Sequence, residues 1–94
     1  MPPFTNGEVL HALSLVMPAQ IVEGARMHQE GGVNDPCTFW VSDGMLLVLA
    51  AISEVGAQRV VGYRPDLASK VAEIRQDPNG YINSARMSAP GEGR

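Results

Sequence analysis

Eight consecutive apolar residues, Met45 to Ile52, stand near the middle of this 94-residue chain. A run that apolar has to be taken out of water by whatever fold contains it. Met, three Leu and two Ala favour a helix, where a buried strand of this length would lean on Val, Ile and aromatics. Ser42 is placed to cap the first turn, Asp43 follows it at the positive end of the helix dipole, and Gly56 stands where a left-handed residue would end the run. The sequence therefore predicts a helix from Ser42 to Gly56. Its apolar residues cover every side: Met45, Val48, Leu49 and Ile52 form one stripe, and Leu46, Leu47, Ala50 and Ala51 fill the rest. Such a helix is a central one, packed on several sides. It is too short to span a membrane, which takes about 20 apolar residues in a row.

A chain of this length makes one domain and buries only about 60 to 68% of its extended surface. The expected architecture is mainly α, a bundle of four to five helices around the central one, over residues 1–87. Residues 88–94, SAPGEGR, have nothing to bury and read as a disordered tail. An α+β arrangement is the alternative, with short strands at Thr38–Val41 and Arg59–Tyr63 flanking the central helix as a βαβ unit. A third reading continues the central helix past Gly56 to Val61. Because so small a domain has little chain with which to cover an apolar helix on all sides, completion by a second copy is expected. Leu46 and Leu47 are the candidates to meet it.

The flanking segments carry more local signals. Thr5-Asn6-Gly7-Glu8 is a capping-box pattern, and Val9, Leu10, Leu13, Val16 and Met17 behind it share one helical face. Pro18 either kinks this helix or opens another at its first position, with Ile21, Val22 and Ala25 as the apolar stripe. Gly31-Gly32 stops it, and Asn34-Asp35-Pro36 marks a turn. Arg64-Pro65-Asp66 opens a further helix with Leu67, Val71 and Ile74 inward and Asp66 four residues before Lys70. Asp77-Pro78-Asn79-Gly80 ends it, and Tyr81 to Met87 forms a last short helix or an extended arm.

Candidate chemistry is sparse. His11, His28, Cys37 and Asp35 have no metal-ligand spacing, so no metal and no other cofactor is expected. Cys37 reads as a small buried side chain rather than a nucleophile, and the scattered acids form no catalytic pair. No phosphate-binding glycine loop is present. The N-terminus lacks the basic and apolar regions of a signal peptide and one cysteine gives no disulfide framework, so the expected location is cytoplasmic. Six Arg to one Lys, with abundant Ala, Gly and Val, suits a GC-rich bacterial or phage coding sequence.

The expectation from these absences is a non-enzymatic regulatory, adaptor or inhibitory protein that acts by binding another protein, as a homodimer. Phe39 and Trp40 are the aromatic candidates for its interface, alongside Leu46 and Leu47, because Trp is the residue type most enriched at binding hot spots. The competing reading of Trp40 is that it seals the core. A second function class comes from charge. Residues 1–56 hold one Arg against six acids, whereas residues 57–94 hold six Lys or Arg against four. The basic half could bind nucleic acid, with residues 65–87 read as helix, turn and helix and with Asn83, Ser84 and Arg86 on the second helix. The net charge of −3 weighs against it.

Overall fold

The computed structural model describes residues 3–38 and 40–86. Phe39 and the expected tail lie outside the described residues. The chain forms a small all-helical bundle: α1 (Asn6–Val16), α2 (Ala19–His28), α3 (Asp43–Ile52), α4 (Glu54–Tyr63), α5 (Ala68–Gln76) and α6 (Pro78–Ala85), with one 3-10 turn at Pro65–Leu67. Among the described residues the one β pairing is a bridge between Thr5 and Pro36. The α+β alternative is thereby corrected. Arg59 to Tyr63 lie within α4, and Thr38, Trp40 and Val41 join no strand.

The central helix is α3, capped as expected by the Ser42 hydroxyl, which accepts the Met45 N–H at 3.2 Å. Met45 to Ala51 are all buried, and α1, α4, α5 and α6 pack around the helix. Leu46 is 1% exposed and Leu47 9% exposed within this single chain. The expectation that a second copy must complete the core therefore loses its basis: the chain's own helices cover both residues.

It manages this by breaking the helix earlier than Gly56. Ser53 is extended (φ −156°, ψ 159°) and serves both as the end of α3 and as the N-cap of α4, accepting the Gly56 N–H at 3.0 Å. Helical structure does continue to Tyr63, but as a second helix turned back onto the first. Gly56 is no C-terminal cap. It lies in the first turn of α4, so close to α3 that a Cβ there would come within 2.5 Å of the Leu49 carbonyl oxygen. The residue is glycine because the two backbones meet at this corner.

The other joints use the same economy of chain. At the start of α1 the capping box is present, with the Glu8 N–H donating to the Thr5 hydroxyl at 3.1 Å and the Thr5 N–H to the Glu8 carboxylate at 2.9 Å. Pro18 stands one position earlier than expected, as the N-cap of α2, and Met17 is extended before it. Asp77 alone separates α5 from α6, and its carboxylate accepts the Gly80 N–H at 3.2 Å. The helix count reaches six because Ser53 and Asp77 each divide what could run on.

Charged side chains then tie helix to helix. Arg59 of α4 reaches Glu8 of α1 at 2.9 Å and lies over the Phe4 ring, 5.4 Å from its centroid. Arg64 joins Asp43 and Asp66, each at 2.8 Å, and Lys70 turns to Glu73 at 3.0 Å, so the expected Asp66–Lys70 pair does not form. Arg75 of α5 donates to the Ala51 carbonyl at 2.9 Å, satisfying an orphan acceptor at the negative end of α3.

Two predictions follow from these joints. Alanine at an open helical glycine stabilises by about 0.5 to 1 kcal/mol, and Gly24, with nothing near its Cβ direction, should behave so. Gly56→Ala should reverse the sign and cost about 1 to 3 kcal/mol, since the atom it meets is backbone. Thermal unfolding of the two variants would show melting points moving in opposite directions; a rise for both would mean that the corner is loose.

The second concerns acid. Partial burial by itself raises the Glu8 pKa, but the Thr5 N–H and the Arg59 guanidinium outweigh it and hold the carboxyl below the usual glutamate range. A depressed folded-state pKa stabilises above the unfolded value and is lost as pH falls through the folded one. Arg59→Met should therefore cost stability near neutral pH, and in denaturant melts the gap to the parent should narrow as pH falls through the lowered folded-state pKa of Glu8. A gap independent of pH would assign the Arg59 effect to its packing on Phe4.

Candidate protein-binding surface

Among its described residues the segment between α2 and α3 has no regular structure, yet from Glu30 to Thr38 it is pinned by the start of α1. Asn6 is the pin. It is completely buried, its amide donates to the carbonyls of Glu30 and Gly32 at 3.0 Å each, and its side-chain oxygen accepts the Thr38 N–H at 3.1 Å. The backbone adds its own ties, Asn6 N–H to Asp35 at 2.9 Å, Gly7 N–H to Val33 at 2.8 Å and Cys37 N–H to Phe4 at 2.8 Å. Within the segment, the Asp35 carboxylate accepts the Gly32 N–H at 2.7 Å, and the Thr38 hydroxyl accepts the Glu30 N–H at 3.1 Å. Gly31 stands in the left-handed region at φ 84°, and a Cβ there would collide with that carboxylate.

Exposed side chains stand on this segment and on the helix before it. Trp40 is 87% exposed, which removes the reading that it seals the core. It follows Thr38 by two residues, and Thr38 is bonded to Glu30 at the foot of α2. Met27, in the last turn of α2, is 71% exposed, and Val33 at the tip of the segment is exposed as well. Among the described residues helix α2 packs on α1 alone and has no fully buried residue; Val22 and Ala25 are half covered, while Ile21 is exposed. Cys37, by contrast, is buried in the core cluster, in keeping with its reading as a packing residue.

Other hollows offer less. A cavity of about 70 Å³ between α1 and the α3–α4 corner is lined by Glu8, His11, Ser53 and Arg59, but it is far below the 300 to 1,000 Å³ of ordinary ligand pockets. Glu8, Ser53 and Arg59 are already occupied with structural bonds there. A groove of about 510 Å³ between α4 and α5 is floored by Ala57, Val61, Ala68, Val71 and Ala72. Its two charged residues, Glu54 and Arg75, lie 3.5 Å apart and face each other. Among the described residues His11, His28, Cys37 and Asp35 do not converge into a metal-ligand group.

Of the residues considered for nucleic acid, Asn83 and Ser84 lie on α6 as expected and Arg86 is its C-cap, but the turn before them differs from the expectation. Gly80 lies inside α6, and the one-residue joint at Asp77 is shorter than the three- to four-residue turn of a helix-turn-helix. Asn83 and Arg86 line an open hollow of about 470 Å³ with Leu15, Ile52 and Ile82, and Ser84 donates its hydroxyl back to the Tyr81 carbonyl at 2.8 Å. Comparison with known proteins finds no matching family model, no matching curated protein and no matching solved structure.

Asn6 carries the prediction here. Asn6→Ala leaves the Glu30 and Gly32 carbonyls and the Thr38 N–H without their partner and should cost about 1 to 3 kcal/mol. Amide exchange should accelerate at Thr38 while the α3 amides still exchange at the rate set by global unfolding. Unchanged protection at Thr38 would show that the backbone ties alone hold the segment.

Proposed function

We propose that the protein is a small non-enzymatic binding protein, a regulator, adaptor or inhibitor, that engages a partner protein through Trp40 and the neighbouring face of α2. The observation that carries this reading is an 87% exposed Trp, the single Trp of the chain, two residues beyond a segment that a buried Asn holds up to Thr38. A large aromatic side chain left in water contributes nothing to folding, whereas in an interface it supplies wide apolar contact at low entropic cost. A pinned segment also loses little freedom on binding, so more of the contact energy survives as affinity. The exposed Met27 extends the surface with a side chain that adapts to irregular contours. A second copy meeting at this surface would make the homodimer.

A photocrosslinking residue at position 40 tests the proposal, with the same residue at the exposed Ser69 on α5 as control. Position 40 should capture a discrete protein from the native host, and the purified partner should bind the parent at least tenfold more tightly than it binds Trp40→Ala. Crosslinking of the purified protein to itself at position 40 would identify the second copy as that partner. Equal capture at both positions, or equal affinity for parent and Trp40→Ala, would rule this surface out.

A further inference from the structure

Around the proposed binding surface the charges are not balanced. Of the six acids in residues 1–56, four face cations: Glu8 with Arg59, Glu23 with Arg26, Asp43 with Arg64 and Glu54 with Arg75. Glu30 and Asp35 form no ion pair among the described residues, and both are exposed. They are also the two acids on the segment that carries Val33 and leads to Trp40. The Asp35 carboxylate is fixed over Gly32 by the N–H it accepts, and Glu30 is held beside Thr38. Two carboxylates without an ion pair therefore lie on the same segment as the exposed Val33, between the exposed Met27 and the exposed Trp40 in the chain. The nearest cation on α2, Arg26, is engaged by Glu23.

Resting on the binding role proposed above, we infer that the occupant of this surface is a cationic amphipathic segment of a partner protein, its apolar side chains on Met27, Val33 and Trp40 and its Lys or Arg side chains against Glu30 and Asp35. An interface core of apolar residues rimmed by charge selects partners through the sign of that rim, since like charges repel on approach and opposite charges speed encounter. An anionic partner would bring its charge against two carboxylates that no cation pairs among the described residues. A neutral apolar partner would leave both unpaired at the rim.

The chain's single Trp makes the test direct, because Trp40 emission reports on the surface itself. The probes are an amphipathic helical peptide of leucine and lysine and its twin with glutamate in place of lysine. The lysine peptide should shift Trp40 emission to the blue with saturation, and the glutamate twin should not. Glu30→Gln with Asp35→Asn, which keeps an acceptor for the Gly32 N–H, should weaken binding about threefold to tenfold and flatten its salt dependence. Neutralising the paired acids instead, with Glu54→Gln and Glu73→Gln, should leave affinity unchanged. Equal weakening by both neutralised pairs, or no binding of the lysine peptide, would overturn the cationic assignment. Equal binding of both twins that is lost on Trp40→Ala by calorimetry would overturn that assignment while the surface stands. Binding indifferent to Trp40→Ala would overturn the assignment and the surface together.

Discussion

The corner at Ser53 is what the rest of this fold depends on. An eight-residue apolar run is more than a chain of 94 residues can cover if it continues as one long rod, because a rod's far end would have nothing to pack against. Breaking the helix at Ser53 returns α4 onto α3, and α5 and α6 then close the remaining sides. The turn is possible because Ser53 supplies the cap in place of the lost helical bonds and Gly56 lets the two backbones approach. Arg75 completes it by donating to the carbonyl oxygen of Ala51, one residue short of the end of α3. With the central helix sealed in this way, α2 and the segment after it are left at the periphery, where the proposed binding surface lies.

How much of this could be read in advance differs from feature to feature, for physical reasons. Caps are local chemistry, so Thr5 with Glu8 and Ser42 with Asp43 are found where the sequence places them. Burial of α3 on every side is equally legible, since no face of Met45 to Ala51 offers a polar alternative. The corner is harder. Ser53-Glu54 repeats the Ser42-Asp43 signature, yet Gly56 two residues on fits both a helix end and a close approach, and only the position of Leu49 decides between them. Asn6 is harder still: within its own stretch it looks like one residue of a capping box, and its partners lie 24 to 32 positions away. Trp40 stands out in the sequence as a candidate contact, but a lone Trp beside the most apolar segment fits core and interface alike until its exposure is known. Leu46 and Leu47 were misplaced for the opposite reason, since the capacity of the remaining helices to cover them is a property of the whole packing. Met27 and Glu30 carry no mark in the sequence and Asp35 is marked only by its turn and as a metal-ligand candidate, because their place at the surface lies in what they are left without.

The uneven charge of the two halves has a physical account in the same terms. Read along the chain, an acidic first part and a basic second part suggest separate partners. In the fold the two parts face each other: Arg59 meets Glu8, Arg64 meets Asp43 and Arg75 meets Glu54. These pairs are largely exposed and each is worth about 0 to 1 kcal/mol, so they are not what holds the bundle together. Their effect is on orientation. They join α1 to α4, α3 to the linking turn and α4 to α5, and a bundle of short helices with single-residue joints needs such markers because apolar packing alone is indifferent to small rotations. The cations of the second half are spent in this way, with Arg86 the exception among the described residues. The acids of the first half are spent as well, except on the segment that Asn6 pins. The same charge asymmetry that fixes how the halves dock thus leaves its remainder on the segment that leads to Trp40, which is why the proposed occupant of that surface is cationic.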